Sequence, residues 1–561
     1  MVNAVDYLVA AGLIGEVKES WELTVEIENV EVGVPDSIKQ MIEKQIDHLD
    51  PVDQRTLEAA SVAGAEFATI AVVAGLAEEP SLVEARCDEL ARQRQFIQDV
   101  GVQVLPNGEA FNRFSFIHAL YRKVLYERLS ESRRVQLHRR IAEEGEVLYG
   151  ERVKEIAGEL AMHFERAADP QQAAKYLQQA ADNAIRRFAY REAVGLSRRG
   201  LELLLRLPDT RARAAQELCL QLTLGVPLIA TEGYAAPDVG RAYLRARELC
   251  RQLGETPDLS EALWGLWTFH TLRAELGTAR EIAEEMLRLG ERFPAPAFSM
   301  RAHLAMEITF LHMGNFAPAV EHFEKAFTLY DPERHLEDAF NYAQNPGLAM
   351  RCFAAWALWF LGRSDQSLGQ MQEALILARE LAEPHGLAHA HLFVGFLHQY
   401  RREERLAQVH AEAVLTIANE HGLVMYQAMA TMLRGWALLC QGRHEVAIEQ
   451  MRHGLVALQI TGTELLRPHF LGLLAEALGK AGQTEEAVRT LEEALAMAQG
   501  NGEGAYEAEL YRLKGEALLI QAARPGFSGA RPWPLKPKLV FATPSGLRKG
   551  KKRSPGSCAR S

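Results

Sequence analysis

At intervals of forty residues the chain sets a small residue at one position of an expected helix: Ala355, Gly395, Gly435, Ala475 and Gly515. A second register, seven residues on, reads Gly362, Arg402, Gly442 and Gly482, and a third reads Ser367, Ala407, Ala447 and Ala487. Three registers locked to one period specify a helical repeat array, in which each unit buries its apolar face only by stacking on the next. Such arrays hold partners far more often than they perform chemistry.

Within one repeat the small residues fall at a first position, twelve on and nineteen on, as in Ala355, Ser367, Ala374 and again in Ala475, Ala487, Ala494. Antiparallel helices approach closely only where their crossing points lack bulk, and a glycine such as Gly442 or Gly482 turns the chain between them. The pattern resembles the tetratricopeptide repeat, whose period is about 34 residues; about six more per unit are expected in the second helix or the link to the next repeat. The stretch from Leu478 to Ala494, with Gly482, Ala487 and Leu491, is the cleanest copy. Gly314, Ala319, Phe323 and Ala326 mark an earlier unit, ended by Asp331-Pro332, and looser pairs reach back to Glu151, where Ala161, Ala173 and Ala180 keep the spacing.

A chain of 561 residues with 48% apolar residues exceeds one compact core, so several structural regions are expected. No uninterrupted apolar run approaches the roughly 18 residues that span a bilayer. The longest is Phe67 to Ala77, and no basic-then-apolar leader follows Met1, which reads as a cytoplasmic protein. Cys87, Cys219, Cys250, Cys352, Cys440 and Cys558 form no Cys-x-x-Cys pair and read as small core residues of a reducing compartment. The net charge of −12 is uneven: residues 521–561 hold ten Lys or Arg and no acid, so subtracting those ten leaves −22 on the preceding 520 residues. The acidic body disfavours nucleic acid; only the basic tail could hold it, nonspecifically.

Four regions are expected. Residues 1–33 read as the end of a preceding domain, with a short helix over Val5 to Leu13 and a strand over Trp21 to Ile27. In 34–150, a helix opens at Pro35-Asp36 with Ile38, Met41, Ile42, Ile46 and Leu49 on one side, and Asp50-Pro51 caps a second that Gly64 ends. Ser81 and Glu84 form a capping box for a third, to Gln93, and strands Phe96 to Val100 and Phe111 to Phe116 flank the turn Pro106-Asn107-Gly108. Three helices and a hairpin suggest a winged-helix-like module. Its recognition-helix candidate, Leu82 to Gln93, balances Glu84, Asp88 and Glu89 against Arg86 and Arg92, which argues for a protein-facing role. The array occupies 151–520. The basic tail 521–561, with Pro525, Pro532, Pro534, Pro537, Pro544 and Pro555, is expected to be disordered, and its abruptness suggests an interrupted or frame-shifted end.

In this order the pieces resemble a bacterial family of large signalling ATPases: a P-loop NTPase of the STAND type, a winged-helix segment and a long tetratricopeptide-like array. Many carry a class III adenylate/guanylate cyclase domain in front, and relatives carry DNA-binding domains. The resemblance rests on Val34-Pro35-Asp36-Ser37-Ile38, on Ala59-Ala60-Ser61-Val62-Ala63-Gly64-Ala65-Glu66-Phe67 and on Arg113-Phe114-Ser115-Phe116-Ile117-His118-Ala119-Leu120. Tyr126-Glu127-Arg128-Leu129, Gly435-Trp436-Ala437-Leu438 and Leu513-Lys514-Gly515-Glu516 add to it. It implies that 1–33 is the remnant of the NTPase domain. No Gly-x4-Gly-Lys-Ser/Thr string and no cyclase segment with paired metal-binding aspartates occurs in the sequence, so the resemblance assigns ATP and Mg to the missing NTPase domain and no cofactor to this chain.

The resemblance also singles out His118. In STAND proteins a winged-helix histidine in a Met-His-Asp-like motif contacts the diphosphate of ADP; Phe116-Ile117-His118-Ala119-Leu120 sits at the matching place but lacks the following Asp. A helix-capping or core histidine is the other reading. Arg133, Arg134, His138, Arg139 and Arg140 could meet phosphate or an acidic partner, but with Glu131, Glu143, Glu144 and Glu146 nearby they read as a solvated, salt-bridged helix. His385, His389 and His391 lack a neighbouring His-Glu-x-x-His or Cys, and Pro384-His385-Gly386 looks like a turn, so no metal is expected. Gly195-Leu-Ser197-Arg-Arg199 fails the nucleophile-elbow pattern at its last position. Trp264, Trp267, Trp356, Phe360 and Trp436 are expected between repeats or along the concave groove. The resulting expectation is a mainly α, tetratricopeptide-like superhelix behind a winged-helix-like module. It would act as a non-catalytic regulatory arm with a protein or peptide in its concave groove and no membrane partner. Two alternatives stand beside it: part of a cyclase or ATP-binding polypeptide, and the ligand-sensing portion of a transcriptional regulator.

Overall fold

The computed structural model describes residues 14–17, 20–23 and 36–522, apart from 107, 255–257, 294 and 333–344. The helix expected over Val5 to Leu13 and the Pro-rich tail lie outside the described residues. Strands β1 (Ile14–Val17) and β2 (Ser20–Leu23) pair antiparallel, so the alternating stretch at Trp21 is one half of a hairpin.

Helix α1 (Asp36–Asp47) buries Ile42 and Ile46, but Met41 falls at the edge of that stripe and is 54% exposed. The next helix, α2 (Pro51–Ala63), begins as its sequence dictates: the Asp50 carboxylate accepts from the Val52 amide at 2.8 Å, and Pro51 occupies the first turn. The apolar run that follows is not one element. It splits into β3 (Glu66–Ala68) and α3 (Thr69–Leu76), because Phe67 pairs across the sheet with Phe114 while Val72 turns into the core. Helix α4 (Pro80–Gln93) corrects the expected Ser81–Glu84 capping box. Pro80 sets the first turn one residue earlier, Glu79 is the cap residue without a side-chain bond, and Glu84 instead accepts from the Asn112 amide at 3.4 Å. Strands β4 (Ile97–Val104) and β5 (Ala110–Phe116) complete an antiparallel sheet of order β3–β5–β4, bulged at Asp99/Gly101. The hairpin closes where the Gly108 amide donates to the Leu105 carbonyl at 2.9 Å, with Gly108 at φ 88°.

Helices α5 (Ala119–Arg128) and α6 (Glu131–Tyr149) lead into the array. The basic cluster on α6 is a solvated face only in part: Arg139 and Arg140 are exposed, Arg133 and Arg134 half-buried and His138 buried. His138 is fully buried, with its Nδ1 2.8 Å from Nδ1 of His163 and its Nε2 3.0 Å from the Tyr126 hydroxyl. Arg139 and Arg140 donate to the carbonyls of Ala167 and Gly75. Arginine can span an apolar surface and still reach an orphaned carbonyl, and here it ties α6 to its neighbours.

The array runs from α7 (Ala157–Arg166) and α8 (Pro170–Arg186) through α9 (Tyr190–Leu204), α10 (Arg211–Glu232), α11 (Pro237–Leu253), α12 (Leu259–Leu272) and α13 (Leu276–Arg292). It continues with α14 (Pro296–His312), α15 (Phe316–Leu329), α16 (Pro346–Phe360), α17 (Ser364–Leu381), α18 (Pro384–Tyr400) and α19 (Glu404–His421). The last members are α20 (Val424–Cys440), α21 (His444–Ile460), α22 (Arg467–Lys480), α23 (Thr484–Asn501) and α24 (Glu507–Ala522). Helix α10, at 22 residues, is long and apolar enough by length and composition to cross a membrane, although polar residues interrupt its apolar run; it packs here within the array. Of the cysteines, Cys87, Cys250 and Cys352 are buried as expected, whereas Cys219 on α10 and Cys440 on α20 are exposed.

All three registers have a physical cause. At the first, a Cβ on Gly395 would stand 2.5 Å from Leu433 and one on Gly435 2.8 Å from Met451, and Ala355 and Ala475 are buried. Gly515, on the last described helix, has open space around it and shares only the spacing. At the second, Gly314, Gly362, Gly442 and Gly482 have φ between 77° and 82°, and Ala168, Phe188, Ala274 and Arg402 adopt the same left-handed conformation without being glycine. The following amide then reaches back into the helix, as Arg443 does to the Leu438 carbonyl at 3.1 Å, which closes each turn as a Schellman motif. At the third, Ser367, Ala407, Ala447 and Ala487 are fully buried, and the Ser367 hydroxyl donates to the Ala355 carbonyl at 2.7 Å. The residues beyond the usual period lie in both helices, with 17 in α18 and 18 in α19, rather than in the links.

Candidate functional site

The first helices of successive pairs line the inside of the superhelix, and the superhelix closes on itself. At the end of α12 the Leu272 carbonyl accepts from the Glu464 and Leu465 amides, at 2.8 and 3.1 Å, from the loop before α22. At the end of α14 the His312 carbonyl accepts from the Ala505 amide at 3.2 Å, from the loop before α24. One superhelical turn therefore takes five helix pairs, α12/α13 to α20/α21, and brings α22 back against the end of α12. Glu503 braces the closure: its carboxyl, 1% exposed, accepts from the Leu466 amide at 2.7 Å, with Leu466 held at φ 66°. Burial raises the Glu503 pKa to about 8.

Two concavities among the described residues lie beside these contacts. The first is a partly enclosed cavity of about 140 Å³ whose walls include Trp264, Trp267, Phe353, Trp356 and Phe393, with Leu465 and Leu466 among its lining residues. The indole N–H of Trp267 donates to Thr309 at 2.9 Å and that of Trp356 to the Phe393 carbonyl at 3.1 Å, so both rings are fixed. The second is a groove of about 840 Å³ between the C-terminal ends of α16 and α18 and the faces of α22 and α24. Its floor is aromatic. Phe316 stacks on Phe360 at 4.7 Å and His469 on Tyr506 at 4.2 Å, while the hydroxyls of Tyr400 and Tyr506 lie 2.5 Å apart.

One wall of the groove is a lattice of both charges. Arg402 donates to Glu476 at 2.7 Å and to Glu509 at 3.3 Å, and Arg512 to Glu509 at 2.6 Å. Burial raises the Glu476 pKa, but Arg402 and Lys480 more than offset it, and the carboxyl lies below its usual range. His469, buried and facing Arg402, is held neutral, its pKa lowered to about 3. Fixed aromatic faces beside exchangeable ion pairs suit the anchoring of a partner side chain with charged flanks. Among the described residues, no three His, Cys, Asp or Glu are grouped to hold a metal ion.

The sequence-derived candidates fall in separate places. His118 is the exposed cap of α5, its Nδ1 accepting from the Leu120 amide at 3.1 Å. His385, His389 and His391 diverge: Pro384-His385-Gly386 is the first turn of α18 rather than a free turn, His389 meets the Tyr426 hydroxyl at 3.2 Å and His391 meets His410 at 2.9 Å. Trp264, Trp267 and Trp356 face the cavity and Phe360 the groove, whereas Trp436 is fully buried. Sequence reasoning missed Tyr400, Arg402 and Tyr506 as groove residues. One signal was present: Arg402 stands where its register otherwise calls for glycine, and it faces α22 and α24.

The tetratricopeptide repeat family model matches residues 468–501, the α22/α23 pair. The chain is 24% identical over 409 residues to the uncharacterized protein R02095 of Rhizobium meliloti (strain 1021), a match over 72% of this chain. It spans 39% of the length of that curated relative. Among solved structures, a Rap protein complexed with Competence and Sporulation Factor aligns with a TM-score of 0.41 and 13% identity, over 63% of this chain and 99% of that one. A Signal Transduction ATPase with Numerous Domains (STAND) protein with a tetratricopeptide repeat sensor from Pyrococcus horikoshii aligns with a TM-score of 0.35 and 13% identity, over 89% of this chain and 66% of that one.

Proposed function

We propose that this chain is a non-catalytic, cytoplasmic interaction arm that holds an extended peptide segment of a partner protein in the groove between α16, α18, α22 and α24. The observation that carries this reading is the pairing of an aromatic floor at Phe360, Tyr400 and Tyr506 with a wall of opposite charges at Arg402, Glu476, Glu509 and Arg512. A peptide with an aromatic anchor and a charge of either sign beside it can stack on the floor and exchange an ion pair with the wall. The test is selection from a displayed peptide library on the full chain. Aromatic-anchored sequences should be enriched, and Arg402→Glu or Tyr506→Ala should abolish their binding. Failure to enrich any sequence, or enrichment indifferent to both variants, rejects the reading.

In its finer form, the proposal makes this arm the regulatory back half of a longer STAND-type signalling ATPase. The order helix, strand, helix, helix, strand, strand over residues 51–116 supports a winged-helix-like module ahead of the array. In that setting His118, exposed at the start of α5, would face nucleotide held by a separate NTPase domain. His118→Ala in such a polypeptide should raise its basal output; unchanged output and nucleotide retention reject this form while leaving the groove reading intact.

A further inference from the structure

We propose that the partly enclosed cavity inside the superhelix is a second binding site, built for a small uncharged aromatic molecule that carries one or two hydrogen-bonding groups and is of phenol or indole size. It is distinct from the peptide groove. Three residues that line the wall, Thr271, His312 and His389, are only 3%, 2% and 5% exposed, and each carries a buried polar atom (Oγ1, Nδ1 and Nε2) with no hydrogen-bond partner among the described residues. Leaving such atoms unsatisfied costs about 1–3 kcal/mol each, so a site that keeps three of them is preorganised for groups that complete them.

The rest of the wall selects the ligand's body. Trp264 and Trp267 lie 4.8 Å apart and Trp356 stacks on Phe393 at 4.1 Å, so flat π-faces flank the space. Its volume of about 140 Å³ is close to the roughly 150 Å³ of an apolar cavity known to take benzene. Charge is selected against. Burial lowers the His312 pKa to about 4 and takes that of His389 well below its ordinary value, so neither imidazole offers a cation to an anionic ligand. Glu261, the carboxyl at the wall, has its pKa raised by burial and is correspondingly unsuited to hold a cation. A hydroxyl or indole N–H can donate to a neutral imidazole nitrogen and, for the hydroxyl, accept from Thr271.

Leu465 and Leu466 line the cavity from five helix pairs away, and their loop is the one bonded to the Leu272 carbonyl. An occupant therefore favours the closed ring over the open one, and the chain registers it as a change in superhelical closure. The experiment is calorimetric titration of the full chain with phenol, indole and benzoate, with hydrogen exchange at the Glu464 and Leu465 amides. Phenol and indole should saturate one site, benzoate should bind at least tenfold more weakly, and both amides should exchange at least tenfold more slowly at saturation. The isosteric Thr271→Val and the cavity-side His389→Phe should each weaken phenol at least tenfold at unchanged melting temperature. No saturable binding of phenol or indole, benzoate binding as tightly as phenol, or affinity untouched by both substitutions would overturn the proposal.

Discussion

The Nδ1 atoms of His391 on α18 and His410 on α19 lie 2.9 Å apart, and two repeats earlier His303 on α14 and His322 on α15 stand 2.9 Å apart in the same register. Two imidazoles at that distance share one proton, so at least one ring of each pair is neutral. Burial, and then the partner ring, lowers the pKa values of His410 and His322 to about 4, with Arg379 and Lys325 adding to the effect; His391 and His303 are lowered as well.

These depressed values set a pH dependence. Unfolded histidine takes up a proton near 6.5, whereas folded His322 and His410 do not until about 4, so the stability is fully present above 6.5 and is lost as the pH falls through that window. Urea unfolding at several pH values should show this slope. The double variant His322→Asn, His410→Asn should flatten it by at most about 1.4 kcal/mol per pH unit for each histidine removed. An unchanged slope would place the acid sensitivity elsewhere, with His138, His163 and His469 the next groups to examine.

Glu307 has the opposite sign. It occupies in α14 the small-residue position that Ala355, Gly395 and Gly435 hold in later repeats, it is fully buried, and neither carboxyl oxygen has a hydrogen-bond partner among the described residues. Burial raises its pKa well above 4.5. The cost is absent below the unfolded value and grows as the pH rises through it. Glu307→Met, similar in length and apolar, should stabilise the chain by about 1–3 kcal/mol at pH 7.5 and by much less at pH 4, read by denaturant melts at both.

The repeat array was legible because its constraints are local. Close approach at Gly395 and a left-handed turn at Gly442 restrict the residue types allowed there, and forty-residue spacing makes the restriction visible. The closure of the superhelix was not legible. It rests on backbone bonds between Leu272 and Glu464 and between His312 and Ala505, and a backbone amide leaves no mark on residue type. The same holds for β3 and α3, where a continuous apolar run conceals a change of element that only the pairing of Phe67 with Phe114 reveals. Tyr400 and Tyr506 meet only because the ring closes, so the groove floor could not be assembled from sequence.

The left-handed turns give a matched pair of substitutions. Ala168 has φ 54° and is exposed, while Gly442 has φ 79° with nothing within 4 Å of where a methyl group would stand, so conformation alone decides at both. Ala168→Gly should stabilise and Gly442→Ala should destabilise, each by about 1 kcal/mol. Equal signs in the two melts would show that neighbouring contacts govern these turns.

Ring closure itself can be tested at Gly504. A Cβ there would stand 2.7 Å from the Met313 carbonyl oxygen, and because that neighbour is backbone it cannot rotate away. Gly504→Ala must therefore lift the loop before α24 and lengthen the 3.2 Å bond from the Ala505 amide to His312. A cost of about 1–3 kcal/mol is expected, in the range of overpacking, with faster hydrogen exchange at Ala505. Gly500, in the last turns of α23 with nothing within 4 Å, is the control: Gly500→Ala should stabilise by about 0.5–1 kcal/mol and leave Ala505 exchange unchanged. If Gly504→Ala behaved like that control, the loop before α24 would not be held against α14, and the groove floor that depends on Tyr506 meeting Tyr400 would lose its support.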